Sequence, residues 1–462
     1  MFGQEKYERL LQRRPHTGRF YDRPHWTRRR FMELMGAGVT ASFLPQRGWT
    51  ADLEVIERAA VTTQNRAKNV IYILFNGGMT HVDTFDLKVY NGVTPATFNP
   101  TMIGGINWPV GLMPKLANHL PKMSIVRSIR AWAAVHQLAR RWQQIGRNPA
   151  AVLGYVAPHI GSVVALEKGG DRQPNQVFPT FLSVTNNVSG QGYFPATTAP
   201  FKVNAGATSL PNTTSSFGQA RFEQAFAGLH LLDDSLRITS PFSTKMEDMD
   251  DFYAQAKGLM YNPAVTQAFT LSTTDRARYG NTGFGNSCLL AKQILQSNQG
   301  TRFIQLDIAG WDMHSNIYAA NSLPARTLEL DNGVSELLAD LEATGLLNET
   351  LVVMMGEFGR TVNNVNGAGG RDHHLQQFCV FAGAGTRGGR AIGATDATGN
   401  NVAESGWSRG RTIRMEDVEA TIYSALGIDW TTVRYDDPLK RGFEYVPFGP
   451  ADVYGPINEL WI

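Results

Sequence analysis

The sequence predicts an α/β fold: a mostly parallel central sheet with helices on both faces and inserted cap segments. Short continuous apolar runs of strand length, such as KNVIYILF at 68–75, match strands buried on both sides. These runs alternate with stretches whose apolar residues recur at helical spacing, the mark of strand–helix–strand units. Three of the runs also end abruptly in glycine and in His, Asp, Glu or Asn, and open α/β sheets bind ligands beyond the carboxyl ends of their strands.

Taken in order, KNVIYILF is the first strand. GLMPKLANHLPK reads as a short helix, MSIVRSI (123–129) as a second strand, and the segment ending in HIGSVVALEKG as a helix at its end. VFPTFLSV (177–184) is a third strand. Residues 185–217 are rich in Thr, Asn, Ser, Gly and Pro and read as a long loop or inserted hairpin cap. Residues 218–298 look mostly helical, so an insertion is expected near 185–260. TRFIQLDIAG (301–310) is a strand, and LPARTLELDNGVSELLADLEATG a long amphipathic helix. ETLVVMMGEFGR and QFCVFAGAG are further strands, and RMEDVEATIYSALGI is a helix. With no internal repeat, 68–462 reads as one large domain.

The composition, 42% hydrophobic and 18% charged, is that of a globular protein. The formal charge of +3 is a local effect. Residues 1–30 hold nine Lys and Arg against three Asp and Glu, which leaves the rest of the chain at −3 and argues against nucleic-acid binding. Cys288 and Cys379 show no metal-ligand spacing and read as buried thiols, with one disulfide as the alternative. TRRRFMELMGAGVTASFL (27–44) joins an arginine pair, Phe31 and a mild apolar stretch too short and polar for a membrane span; it resembles a twin-arginine export signal. Residues 1–45 are therefore expected to be a signal or a retained anchor and 46–67 a linker. The expected partner is the twin-arginine translocase and the expected location periplasmic or exported, with a membrane-anchored N-terminus as one form.

Four clusters carry chemistry. The first strand runs into Asn76-Gly-Gly-Met-Thr80-His81, the 301–308 strand into Asp312, His314 and Asn316, and the 350–355 strand into Glu357 and Arg360. GGRDHH (369–374) precedes the 377–382 strand. Carboxylate and imidazole together suit Zn, Mn and similar ions, which polarise phosphoryl-type oxygens and activate water. Thr80 reads equally as an attacking hydroxyl or a helix cap. Arg360 reads as a bidentate clamp for an anionic oxygen or as the partner of Glu357 in a structural pair. His136, in AWAAVHQLARRW, reads as packed on a helix rather than as a ligand.

The leader, GGMTHVDTFD, RYGNTGFGNSCLLAKQIL, GWDMHSN, GEFGRT and GGRDHH occur in the order found in an exported bacterial family called domain of unknown function 1501, which the chain resembles over nearly its whole length. The resemblance implies an alkaline phosphatase-like three-layer sandwich, a fold shared with phosphatases, sulfatases and phosphomutases that hold two metals at strand ends. By position, one metal would take Asp312, His314 or Asn316, and His373 or His374. The second would need an acid where Asn76 stands and a histidine where Phe358 stands. The resemblance thus implies one divalent ion (Zn, Mn, Ca or Mg) or none, with Thr80, Glu357 and Arg360 as catalytic candidates and Asn76 at the second metal's position. No C-x-P-x-R stretch is present, which argues against a formylglycine sulfatase. Two functions follow: an exported metal-dependent hydrolase of phosphate or sulfate esters, or a non-catalytic phosphatase-fold subunit of a cell-envelope assembly.

Overall fold

Strand β1 (Asn69–Phe75) is buried along all seven residues, and its side chains alternate between two cores. Ile71, Ile73 and Phe75 enter one; Val70, Tyr72 and Leu74 enter the other. A strand covered on both sides has no polar face, which is why its sequence shows a run rather than an alternation. Each fully buried side chain of this kind contributes about 1.5–3 kcal/mol.

The computed structural model describes residues 61–185, 187–204, 210–237 and 243–462. The arginine-rich segment 1–45 and most of the 46–67 linker lie outside them. Besides β1, the central sheet contains β2 (Met123–Arg130), β3 (Phe181–Ser183), β4 (Phe201–Lys202), β5 (Phe303–Ile308), β6 (Thr350–Gly356), β7 (Gln376–Ala382) and β8 (Arg390–Ile392). Their order across the sheet is β8-β2-β7-β6-β1-β5-β3-β4. β7 pairs antiparallel with both neighbours, while every other pairing in the sheet is parallel.

Helices cover both faces of this sheet. α1 (His136–Ile145), α2 (Ile160–Lys168) and, near the C-terminus, Met415–Ala425 contribute Ile145, Val163, Val164, Val418 and Ile422 to the Val70 side. Gly283–Gln296 and Leu323–Ala343 contribute Leu289, Ile294, Val334 and Leu338 to the Ile71 side. The result is the three-layer α/β arrangement expected from the sequence.

The differences lie where the sequence carries little signal. β3 is shorter than the 177–184 run. β4 lies inside the stretch that reads as a cap loop, and β8 gives no strand signal; both are short edge strands without enough residues to display a period. The reversal of β7 is invisible to periodicity, which carries no direction. Cys288 and Cys379 are buried free thiols. Among the described residues no helix is long and apolar enough to cross a membrane.

Candidate metal centre

Register brings the clusters together. Phe75 lies opposite Ile308 on one side and Gly356 on the other, so β1, β5 and β6 end level. Asn76, the turn holding Asp312 and His314, and Glu357 therefore leave the sheet at one place. Two glycines make the first turn possible. Gly77 has φ +113°, and a Cβ there would sit 2.6 Å from the Asp312 amide nitrogen. β7, running the other way, starts on the same side. Just before it, His373–His374 pairs antiparallel with Gly359–Arg360, His373 opposite Arg360. α1 begins at His136, soon after β2 ends at the same edge, and Gly146 in left-handed conformation terminates it.

Four side chains converge: His136, Asp312, His314 and His373 each offer an atom, and these atoms all lie within 4.8 Å of one another. Asp312 Oδ1 is 2.9 Å from His314 Nε2, 3.3 Å from His136 Nε2 and 3.6 Å from His373 Nε2. His314 and His373 Nε2 are 3.0 Å apart. Tetrahedral coordination with bonds of about 2.0–2.1 Å puts ligand atoms about 3.3 Å apart, in the middle of this range.

The second nitrogen of each imidazole is occupied. Nδ1–H of His136 donates to Glu357 Oε2 (2.5 Å), that of His314 to Asp372 Oδ1 (2.7 Å), and that of His373 to the Ala134 carbonyl (2.8 Å). All three partners are acceptors, so a proton is assigned to each Nδ1, and in the neutral ring Nε2 is then the lone-pair nitrogen. A carboxylate or carbonyl behind each imidazole is the arrangement that orients histidines on a metal. His136 Nε2 is buried and has no hydrogen-bond partner. Lone pairs directed at a carboxylate oxygen repel one another unless a cation lies among them, so the donor set fits a divalent ion of the zinc type.

Phe358 forms the floor. Its ring centroid is 4.9 Å from that of His136 and 4.5 Å from that of His373, and it is fully buried. The opposite side is open, with the Asp312 and His314 side chains 48% and 45% exposed. Partial burial pushes the Asp312 carboxyl up. The hydrogen bond and charge of Arg360, with His136 and His314, outweigh this and hold it below the usual range. His373 is held below the usual imidazole value, first by burial and then by the charges around it, Arg360 foremost; a neutral ring is the ligand form.

The sequence candidates divide. Asp312, His314 and His373 meet, and His136, whose sequence context suggests a packed residue, joins them. Adjacent strand residues face opposite ways, so His374 turns from the cluster and stacks on His81, with centroids 6.0 Å apart. Asn316 is in left-handed conformation (φ 45°), and its backbone N–H donates to the Ala368 carbonyl at 3.0 Å. Asn76 donates through Nδ2 to Asp307 Oδ2 at 2.8 Å, and its Oδ1 is buried without a hydrogen-bond partner among the described residues. Thr80 is buried, and its hydroxyl donates to Asp83 Oδ2 at 2.8 Å, a carboxylate in a fully buried pair with Arg371. Arg360 is no open clamp. Its guanidinium donates to the carbonyls of Gly77, Gly78, Trp311 and Arg371 and to Asp312 Oδ1 (2.6 Å), tying the strand-end turns together. Glu357 does not pair with Arg360; it accepts from His136 and from Arg140 Nε (2.9 Å). The signal that would have found His136 is its place: like the other clusters, it follows a strand's carboxyl end.

Comparison with known proteins adds the following. No curated protein matches the chain. Among solved structures, the protein Ps i-CgsB is similar with TM-score 0.41 and 11% identity, over 84% of this chain and 77% of its own. The PsFucS1 sulfatase from Pseudoalteromonas sp. has TM-score 0.38 and 13% identity, over 79% and 68%. A protein in the alkaline phosphatase superfamily from Vibrio parahaemolyticus has TM-score 0.35 and 11% identity, over 80% and 69%. A family model matches residues 67–444, and the chain belongs to that family, described as proteins of unknown function (DUF1501).

Proposed function

We propose that the protein is a metal-dependent hydrolase of phosphate or sulfate esters, with one divalent ion held by His136 Nε2, Asp312 Oδ1, His314 Nε2 and His373 Nε2. The observation that carries this reading is the convergence of three imidazoles on one carboxylate, each with its second nitrogen already bonded. A bound ion would supply Lewis-acid polarisation of an ester oxygen and a lowered pKa for water. Glu357 and Asp372 hold two of the imidazoles in the tautomer that binds. Arg360 holds Asp312 ionised and in place. The ester enters from the exposed side of Asp312 and His314. With Thr80 bonded to Asp83, the attacking group in this reading is water.

Purified protein is expected to contain one equivalent of Zn, Mn, Ca or Mg by elemental analysis, and to hydrolyse an aryl phosphate or aryl sulfate. Asp312→Ala removes both while leaving circular dichroism unchanged. Protein without stoichiometric metal, or an Asp312→Ala protein that still hydrolyses the ester, overturns the reading.

One observation favours a second reading. Arg360 Nη2 already lies 2.6 Å from Asp312 Oδ1 and Nη1 lies 3.2 Å from His314 Nε2, so a guanidinium contributes positive charge where the lone pairs meet. A cluster neutralised in this way without metal suits a non-catalytic subunit of an envelope assembly, and a metal-free but stable protein supports that alternative. Either reading includes export by the twin-arginine translocase to the periplasmic side, with the N-terminal segment cleaved or kept as an anchor.

A further inference from the structure

A polar cavity of about 250 Å³ is lined by Gln137, Arg140, Arg141, Gln144 and residues 187–189. Its side chains come from α1, the helix that begins with His136. Arg140 stands one helical turn from His136, and its Nε donates to the carboxylate that holds His136. No hydrogen bond to a described residue involves its two Nη groups, and Arg141 has no hydrogen bond or ion pair among the described residues. The other lining groups are amides, Val188 and Ser189, with no carboxylate among them. Arg141 and the free Nη edge of Arg140, whose Nε is paired with Glu357 behind the cavity, thus face a space lined by no carboxylate.

The cavity is built rather than incidental. Gln144 is buried and both ends of its amide are used: Nε2 donates to the Asn187 carbonyl (2.7 Å), and Oε1 accepts from Ser189 N (2.8 Å) and Ser189 Oγ (2.6 Å). That clamp fixes the 187–189 loop against α1. On the far side of the loop, Asn187 N donates to Thr185 Oγ1, and Thr185 Oγ1 donates to Asp307 Oδ2, which also receives Asn76. One wall is therefore anchored to the strand ends that carry the metal centre, and the other to the helix that supplies one of its histidines. The spacing between cavity and centre is set by rigid elements.

We propose that this cavity is an oxyanion site for a tetrahedral or carboxylate anion, and that the esters this protein acts on carry a second anionic group bound there. The second clause rests on the hydrolase reading; the first does not. Guanidinium N–H groups match such oxygens in geometry and charge. At about 30 Å³ per water molecule, the cavity has room for a hydrated tetrahedral anion.

The test uses the full chain with inorganic phosphate, sulfate and acetate as calorimetric probes, in chelator-treated protein and after zinc is restored. Saturable binding is expected without metal, and Arg141→Ala weakens it about tenfold or more while metal content and melting temperature stay as in wild type. The three anions separate tetrahedral from carboxylate preference. Absence of saturable binding in wild type, binding that vanishes on chelation, or equal affinity in Arg141→Ala overturns the oxyanion site. If Arg141-dependent binding persists in protein that has no metal and no hydrolase activity, the site stands and the hydrolase reading falls. If hydrolysis is present and Arg141→Ala leaves KM unchanged for a bis-anionic ester, the substrate clause falls while the reading stands.

Discussion

His373 and His374 are neighbours in the chain and part at the site. The sequence offers both as ligands, because nothing in a His-His pair says which ring faces a cluster; the answer comes from pairing with Gly359–Arg360, a two-residue contact that no period announces. Asp312 and His314 were legible for the opposite reason, since they follow a long apolar strand whose end is plain. His136 was hidden because its one visible signal, its position after β2, competes with a helix that explains the residue equally well. Glu357 accepts from His136 Nδ1 and Arg140 Nε, a backing position that its place in the sequence does not announce. Backing carboxylates of this kind set ring orientation and ligand basicity, and losing one costs on the order of 10–100-fold in metal affinity. Glu357→Gln is expected to weaken zinc binding by that factor with the fold intact, measured by competition with a chromogenic chelator. His374→Ala, by contrast, leaves metal affinity within about twofold of wild type, since its ring faces His81; a large loss would mean the assignment of the pair is inverted.

At the scale of elements, the long strands and helices were readable because both of their cores demand apolar residues, and the short edge strands were not. What locates the site is the turn after β1, where backbone passes closer to backbone than a side chain permits. Alanine at Gly77 would combine a φ that L-residues rarely adopt with contact against the Asp312 amide. Gly77→Ala is expected to cost about 1–3 kcal/mol, seen as a lower melting temperature, and to displace Asp312 so that metal binding falls more than stability alone explains. If the variant melts like wild type and binds metal normally, the close approach of these turns is not what holds Asp312. Gly370 has the same character, because a Cβ there would meet the His314 carbonyl carbon at 2.0 Å.

At the scale of the whole molecule, stability should depend on acid through a buried histidine outside the converging cluster. His159 is fully buried, accepts from Gly161 N and bonds Gln305, and burial lowers its pKa from 6.5 to about 3, the Gln305 bond opposing only in part. The unfolded chain then binds a proton that the folded one refuses, so stability is full above pH 6.5 and falls as pH drops toward 3. The loss in melting temperature between about pH 7 and about pH 5 should be smaller for His159→Asn, which keeps a capping side chain and has nothing to titrate. An equal loss would assign the acid sensitivity to other groups. The N-terminal segment invites a separate test: replacing Arg28 and Arg29 by lysine is expected to leave precursor inside the cell, as read by fractionation, and normal export would dismiss the twin-arginine address.

The reversed strand β7 has one further effect. In a sheet whose strands all ran alike, the chain before a strand would lie at the opposite edge from the site, and His373 would need a crossover to reach it. Because β7 starts where its neighbours end, residues 361–372 leave the centre at Arg360 and return to it at His373. A change in the length of that excursion would be felt directly at His373. The twelve residues from 361 to 372 thus tie the position of one ligand to that of the arginine that holds Asp312.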